Sequence, residues 1–63
     1  MSMSDRAIVS LLREHSHGVE ASWVADRLGM GIRATVEALA RLESNGYVLD
    51  AEGLWFPTDG AYQ

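Results

Sequence analysis

The stretch Leu28-Gly29-Met30-Gly31 does most to limit what this chain can fold into. Before it, Ala21, Val24, Ala25 and Leu28 recur at i, i+3, i+4 and i+7, the apolar stripe of a helix. After it, Ile32, Thr35, Val36, Leu39 and Leu42 repeat the pattern. Gly29, directly behind the first stripe, suits a left-handed C-terminal cap that residues with a Cβ adopt only at a steric cost. The spacing therefore predicts helices over Ala21–Leu28 and Ile32–Ser44, with Met30 and Gly31 as the connector. The first is too short to be stable alone and must be held by neighbours. Asn45-Gly46 ends the second.

A further helix is predicted upstream, over Asp5–His15, with Ser4 as its N-cap and Asp5 favourably placed in the first turn. Ile8, Leu11, Leu12 and His15 form its stripe, Val9 widens it and Gly18 supplies the stop. Beyond Gly46 the period changes to two. Tyr47–Asp50 and Leu54–Pro57 read as strands around the turn Asp50-Ala51-Glu52-Gly53, whose first Asp and last Gly suit a type I turn with a glycine bulge. Pro57 belongs at a strand end or edge. Leu54 and Phe56 point one way and Trp55 the other. Thr58–Gln63 carries no clear pattern. The expected fold is α+β and mostly α: three helices and a C-terminal two-stranded β-hairpin, in one domain over 1–63.

Composition narrows the function classes. A chain of 63 residues buries only about 60% of its unfolded surface, so good packing or a second copy must hold it. Without cysteine there are no disulfides and no thiolate metal sites. No apolar run approaches the ~18 residues of a membrane span. Asp5, Arg6, Arg13 and Glu14 are wrong for a signal peptide, so a cytoplasmic location is expected. Net charge is −4, and every basic residue is an arginine: Arg6, Arg13, Arg27, Arg33 and Arg41. That acidic balance is unusual for a dedicated nucleic-acid binder, which draws its affinity from phosphate neutralisation.

Val19 to Gly46, with Ala25 ahead of Leu28-Gly29, core positions at Thr35, Leu39 and Leu42 and the closing Gly46, resembles the winged helix-turn-helix family. Tyr47–Phe56 then corresponds to the wing, and Phe56-Pro57-Thr58-Asp59-Gly60 is similar to the L-T-x-x-G ending of many winged-helix repressors. The resemblance implies a helix-turn-helix core, binding of double-stranded DNA and a part in transcription regulation. The third helix would enter the major groove, and the helix ends and wing would touch phosphates. Position by position, Gly31 stands where a capping Ser or Thr is usual, and Ile32, Arg33, Val36, Glu37 and Ala40 face the groove. Arg33 is the one strong donor among them. Glu37 can accept from cytosine but otherwise repels phosphate, and Ile32, Val36 and Ala40 can at most touch a thymine methyl. The wing tip, usually basic, holds Asp50 and Glu52.

The DNA-binding candidates are thus Arg27, Gly31, Arg33, Glu37 and Arg41. Arg27 and Arg33 flank the turn and form a phosphate clamp if they face the same way; the plainer alternative is pairing with Asp26 or Glu37. Glu37 and Arg41, at i and i+4, are expected to pair with each other. A second set, Trp23, Ile32, Val36 and Trp55, is a candidate protein-contact surface, because tryptophan and exposed apolar patches mark interfaces. Against it, Ile32 and Val36 can be the edge of the core stripe, Trp23 can pack on the first helix, and both faces of the hairpin can be covered.

Catalysis has no visible machinery: no Gly-rich phosphate loop, no G-x-S-x-G and no nucleophile–base pair. So small a helical unit leaves little room for a pocket of ~300 Å³. His15 and His17 lack the third ligand a metal site needs. Neither enzyme activity, a metal, a cofactor, a small-molecule substrate nor a membrane is expected. Two readings remain: a small DNA-binding regulator, or an acidic interaction module (adaptor, inhibitor or assembly subunit) whose partner is another protein or a second copy.

Overall fold

A computed structural model describes residues 1–62; Gln63, the end of the expected domain, lies outside the described residues. The chain runs α1 (Met3–Glu14), α2 (Ala21–Leu28), α3 (Ile32–Ser44), β1 (Val48–Ala51), β2 (Leu54–Pro57) and a closing 3-10 turn (Asp59–Tyr62). Three helices followed by an antiparallel hairpin give a winged-helix-like topology. Among the described residues no helix is long and apolar enough to cross a membrane.

α2 and α3 have the bounds that their apolar periods imply, and Gly29 caps α2 in the left-handed region, at φ 64° and ψ 34°. The Met30 N–H reaches back to the Ala25 carbonyl at 2.9 Å, the bond that closes a helix end of this kind. α1 starts earlier than expected. Its N-cap is Ser2, whose hydroxyl accepts from the Asp5 N–H at 3.0 Å, and Ser4 lies inside the first turn. Both serines satisfy the local rule. Asp5, in the first turn, is buried against a residue of α3.

The stripes converge on one core. Ile8 and Leu12 of α1, Val24 of α2, Leu39 and Leu42 of α3 and Val48 of β1 are all but fully buried. Thr35 is buried too, and its hydroxyl is satisfied by donating to the Gly31 carbonyl at 2.9 Å. The inner stripe of α3 is Thr35, Ala38, Leu39 and Leu42. Ile32 and Val36, expected at its edge, lie outside it.

The hairpin departs from expectation by one residue. β1 is Val48–Ala51, and Ala51 pairs with Leu54, leaving a two-residue loop of Glu52 and Gly53. Both have positive φ, 54° and 78°, as in a type I′ turn. That turn follows the right-handed twist of the strands, so the longer type I turn is not used. A third strand segment was not foreseen. Val19 and Trp55 exchange both backbone hydrogen bonds, at 3.0 and 2.7 Å, so the α1–α2 connection flanks β2. Trp55, with its backbone paired to this segment, is 9% exposed and part of the core, and Leu54 and Phe56 are half-buried.

Two glycines are set by close approach. Gly18 has φ 105°, and a Cβ there would lie 2.6 Å from the Phe56 ring. At Gly60 a Cβ would lie 2.6 Å from the Gly46 carbonyl oxygen. Thr58 donates its hydroxyl to that same carbonyl and accepts from the Gly60 N–H, which fastens the chain end to the α3–β1 turn and buries Ala61. The Thr58 and Gly60 of the family-like ending therefore have a definite structural task. Gly18→Ala is expected to destabilise the fold by about 1–3 kcal/mol, combining a disfavoured φ with overpacking. A thermal melt would then show a midpoint lower by roughly 4–8 °C per kcal/mol.

Candidate nucleic-acid interface

The turn between α2 and α3 places the α3 N-terminus at the surface. Gly31 is its N-cap and makes no side-chain capping bond, and Gly31, Ile32, Arg33 and Ala34 are all exposed. The first intrahelical donor is the Thr35 N–H, bonded to the Gly31 carbonyl at 3.0 Å. The amides ahead of it have no partner within the helix, as at any helix start. They carry the positive end of the helix dipole.

The outer face of α3 has two parallel stripes. Ile32, Val36 and Ala40, each one turn apart, form an apolar ridge; Arg33, Glu37 and Arg41 form a charged row beside it. All six residues are exposed, Ile32 by 52% and Val36 by 44%. The ridge is therefore open surface.

The arginines fare differently from one another. Arg41 donates to the Asp5 carboxylate at 3.1 Å, an α1–α3 pair in which Asp5 is 13% and Arg41 59% exposed. This corrects the expected Glu37–Arg41 pair: the carboxylate on α1 is the more buried acceptor and holds the guanidinium. Arg41 is thus engaged structurally and is a poorer phosphate donor than its place on α3 suggests. Arg27 lies over the Trp23 ring, 4.9 Å from its centroid, rather than against Asp26 or Glu37. Arg13 lies over Tyr62 at 5.2 Å. Among the described residues Arg33 has neither an ion-pair partner nor an aromatic face.

Of the two tryptophans, neither is an open contact. Trp55 is core, for the strand pairing given above. Trp23 is half-buried, packed against the core, with the His15 ring edge-on to it at 4.7 Å. His15 and His17 stand 6.2 Å apart, T-shaped. The wing tip exposes Asp50 and Glu52, together with Leu49. An open groove of about 470 Å³ also runs beside α1, lined by Arg6, Ser10, Arg13 and Tyr47 among others, so the chain has more concave surface than its size implied. Missed from the sequence was Asp5 as the partner of Arg41: the two lie 36 residues apart, and no local spacing links them.

Comparison with protein-family models, curated proteins and solved structures gave no match. The likeness to winged-helix domains rests on the order of the elements and the hairpin.

A double-mutant cycle of Asp5→Ala and Arg41→Ala, read by urea unfolding, is expected to give a coupling of about 0.2–1 kcal/mol, the range for a pair with one exposed partner. A coupling of zero would return Arg41 to the surface-charge class.

Proposed function

We propose that this protein is a small DNA-binding regulator that lays α3 in the major groove and acts in the cytoplasm without catalysis or cofactor. One observation carries the reading: the whole outer face of α3 is uncovered from its N-cap onward, with Arg33 unpaired in the first turn. Arg33 supplies the strongest contact, and the α3 N-terminal amides and Arg27 assist at phosphates. The acidic wing tip stands off the DNA backbone. So few cations hold DNA weakly, which favours two copies acting on one site.

With about two or three phosphate contacts, affinity for a short duplex should fall only about 12- to 40-fold between 50 and 200 mM salt. Fluorescence anisotropy on wild type and Arg33→Ala checks this. Arg33→Ala is expected to weaken binding and flatten the salt slope; a folded wild type with no binding at micromolar concentration and low salt rejects the reading.

A second reading is a protein-interaction module. The open Ile32–Val36 ridge and the acidic tip at Asp50 and Glu52 favour it. It expects Val36→Asp to change self-association in sedimentation while the melting temperature holds. Unchanged sedimentation at high protein concentration removes the self-association form of this reading.

A further inference from the structure

We infer that the open groove beside α1 receives the acidic hairpin tip of a second copy of this chain, so that two copies pair by exchanging tips. None of the residues involved belongs to α3, and the inference stands apart from both readings of that helix.

The groove is a basic surface on an acidic chain. Arg6, Ser10 and Arg13 fall at i, i+4 and i+7 on one face of α1 and line a space of about 470 Å³ together with Val9, Tyr47 and Ala61. No carboxylate is among the lining residues. Asp5, next to Arg6 in sequence, is buried and taken by Arg41. Glu14 lines the adjoining recess, with Arg13 and Tyr62. Arg13 lies over the Tyr62 ring, which constrains its direction. Among the described residues neither Arg6 nor Arg13 has an ion-pair partner. Two of the five arginines of a chain with net charge −4 thus share one concavity with their charge unanswered.

The hairpin tip carries the opposite charge in the same condition. Asp50 and Glu52 are exposed, and among the described residues neither has an ion-pair partner. Two residues of strand span about 7 Å. Arg6 and Arg13, seven residues apart on a helix, stand about 10 Å apart, a difference that their long side chains can close. Within one chain the two surfaces do not meet. β1 begins next to Tyr47 of the groove wall, is held in register with β2 and ends at the tip, and no ion pair joins tip to groove. A second copy brings them together. A two-fold axis midway between tip and groove carries each onto the other, so the contact is made twice and the pair is closed. Single exposed ion pairs are weak, and two carboxylates facing two guanidiniums in each of two contacts add their effects. A free anion would occupy the arginines and leave the tip unanswered; a second copy answers both.

Sedimentation velocity on the full chain tests this by exchanging charge. The wild type should self-associate at low salt and dissociate as salt rises. The groove variant Arg6→Glu/Arg13→Glu and the tip variant Asp50→Lys/Glu52→Lys should each pair roughly thirty-fold more weakly or worse. Mixed in equal amounts they should pair again, because both contacts of the mixed dimer are then matched. All four positions are exposed, so the fold should survive, as thermal melts of each variant check. Val36→Asp should leave the pairing unchanged. A wild type that stays monomeric at low salt and millimolar concentration overturns the inference. So does a mixture that fails to pair. Loss of pairing in the groove variant but not in the tip variant removes the tip as occupant, and loss in Val36→Asp alone moves the interface to α3.

Discussion

The joint between Trp55 and Val19 is the contact on which the other parts depend. A two-stranded hairpin alone is at best marginal in water. Here the middle of β2 exchanges two backbone hydrogen bonds with the α1–α2 connection, and the Trp55 side chain is buried in the helical core. The joint acts in both directions along the chain. It fixes the hairpin against the helices, and it fixes Val19 one residue ahead of the α2 N-cap, Glu20. The start of α2 is thereby set, then the glycine turn, then the direction in which α3 faces outward. Gly18 belongs to the same joint, because only a residue without a Cβ lets this connection lie on the Phe56 ring. In a domain this small, which buries a modest share of its surface, the second fastening by Thr58 and Gly60 against Gly46 matters for the same reason.

Placement of charge, more than its total, distinguishes this winged-helix-like domain. Of five arginines, Arg41 is held by Asp5, and Arg13 and Arg27 are drawn over aromatic rings. A guanidinium on a ring keeps its charge and its remaining donors, so Arg27 can still reach an anion, but its direction is constrained. The acidic residues of the hairpin, Asp50 opposite Trp55 and Glu52 in the turn, are exposed, and their repulsion acts on whatever the wing approaches. On the DNA-binding reading proposed above, a face built this way cannot draw its affinity mainly from phosphates. Any selectivity must come from the few side chains on α3.

The helices and their order were legible because their signals are local. α2, α3 and the left-handed Gly29 follow from apolar period and glycine position, both contained within a dozen residues. The errors have different causes. Asp5, three residues after Ser2, marks Ser2 rather than Ser4 as the cap by a local pattern that was passed over, whereas its pairing with Arg41 is one that no local pattern shows. The hairpin turn moved by one residue because twist matching outweighed the favourable Asp50. The Val19 strand, one residue long, has no period to detect. At the candidate site, Arg33 and the stripes of α3 were placed by helix geometry. The burial of Trp55 and the engagement of Arg41 were not, since both depend on distant segments meeting.

Ile32 and Val36 fit their local surroundings less well than the other isoleucines and valines do. Alanine at either position would raise helix propensity by a few tenths of a kcal/mol and expose less apolar surface, and no packing would be lost in the core. The domain is small enough for such increments to matter. Elsewhere pattern, capping and burial agree: Thr35 satisfies its own hydroxyl, Asp5 has its arginine, and no buried side-chain polar atom among the described residues lacks a partner. Ile32 and Val36 stand outside that consistency, as do the exposed Met3 and Leu49, and among these Ile32 and Val36 share one ridge of a helix. The ridge is narrow, apolar and bordered by a single unpaired arginine. On the DNA-binding reading proposed above these residues would face the groove, and on the interaction reading they would form part of a protein contact.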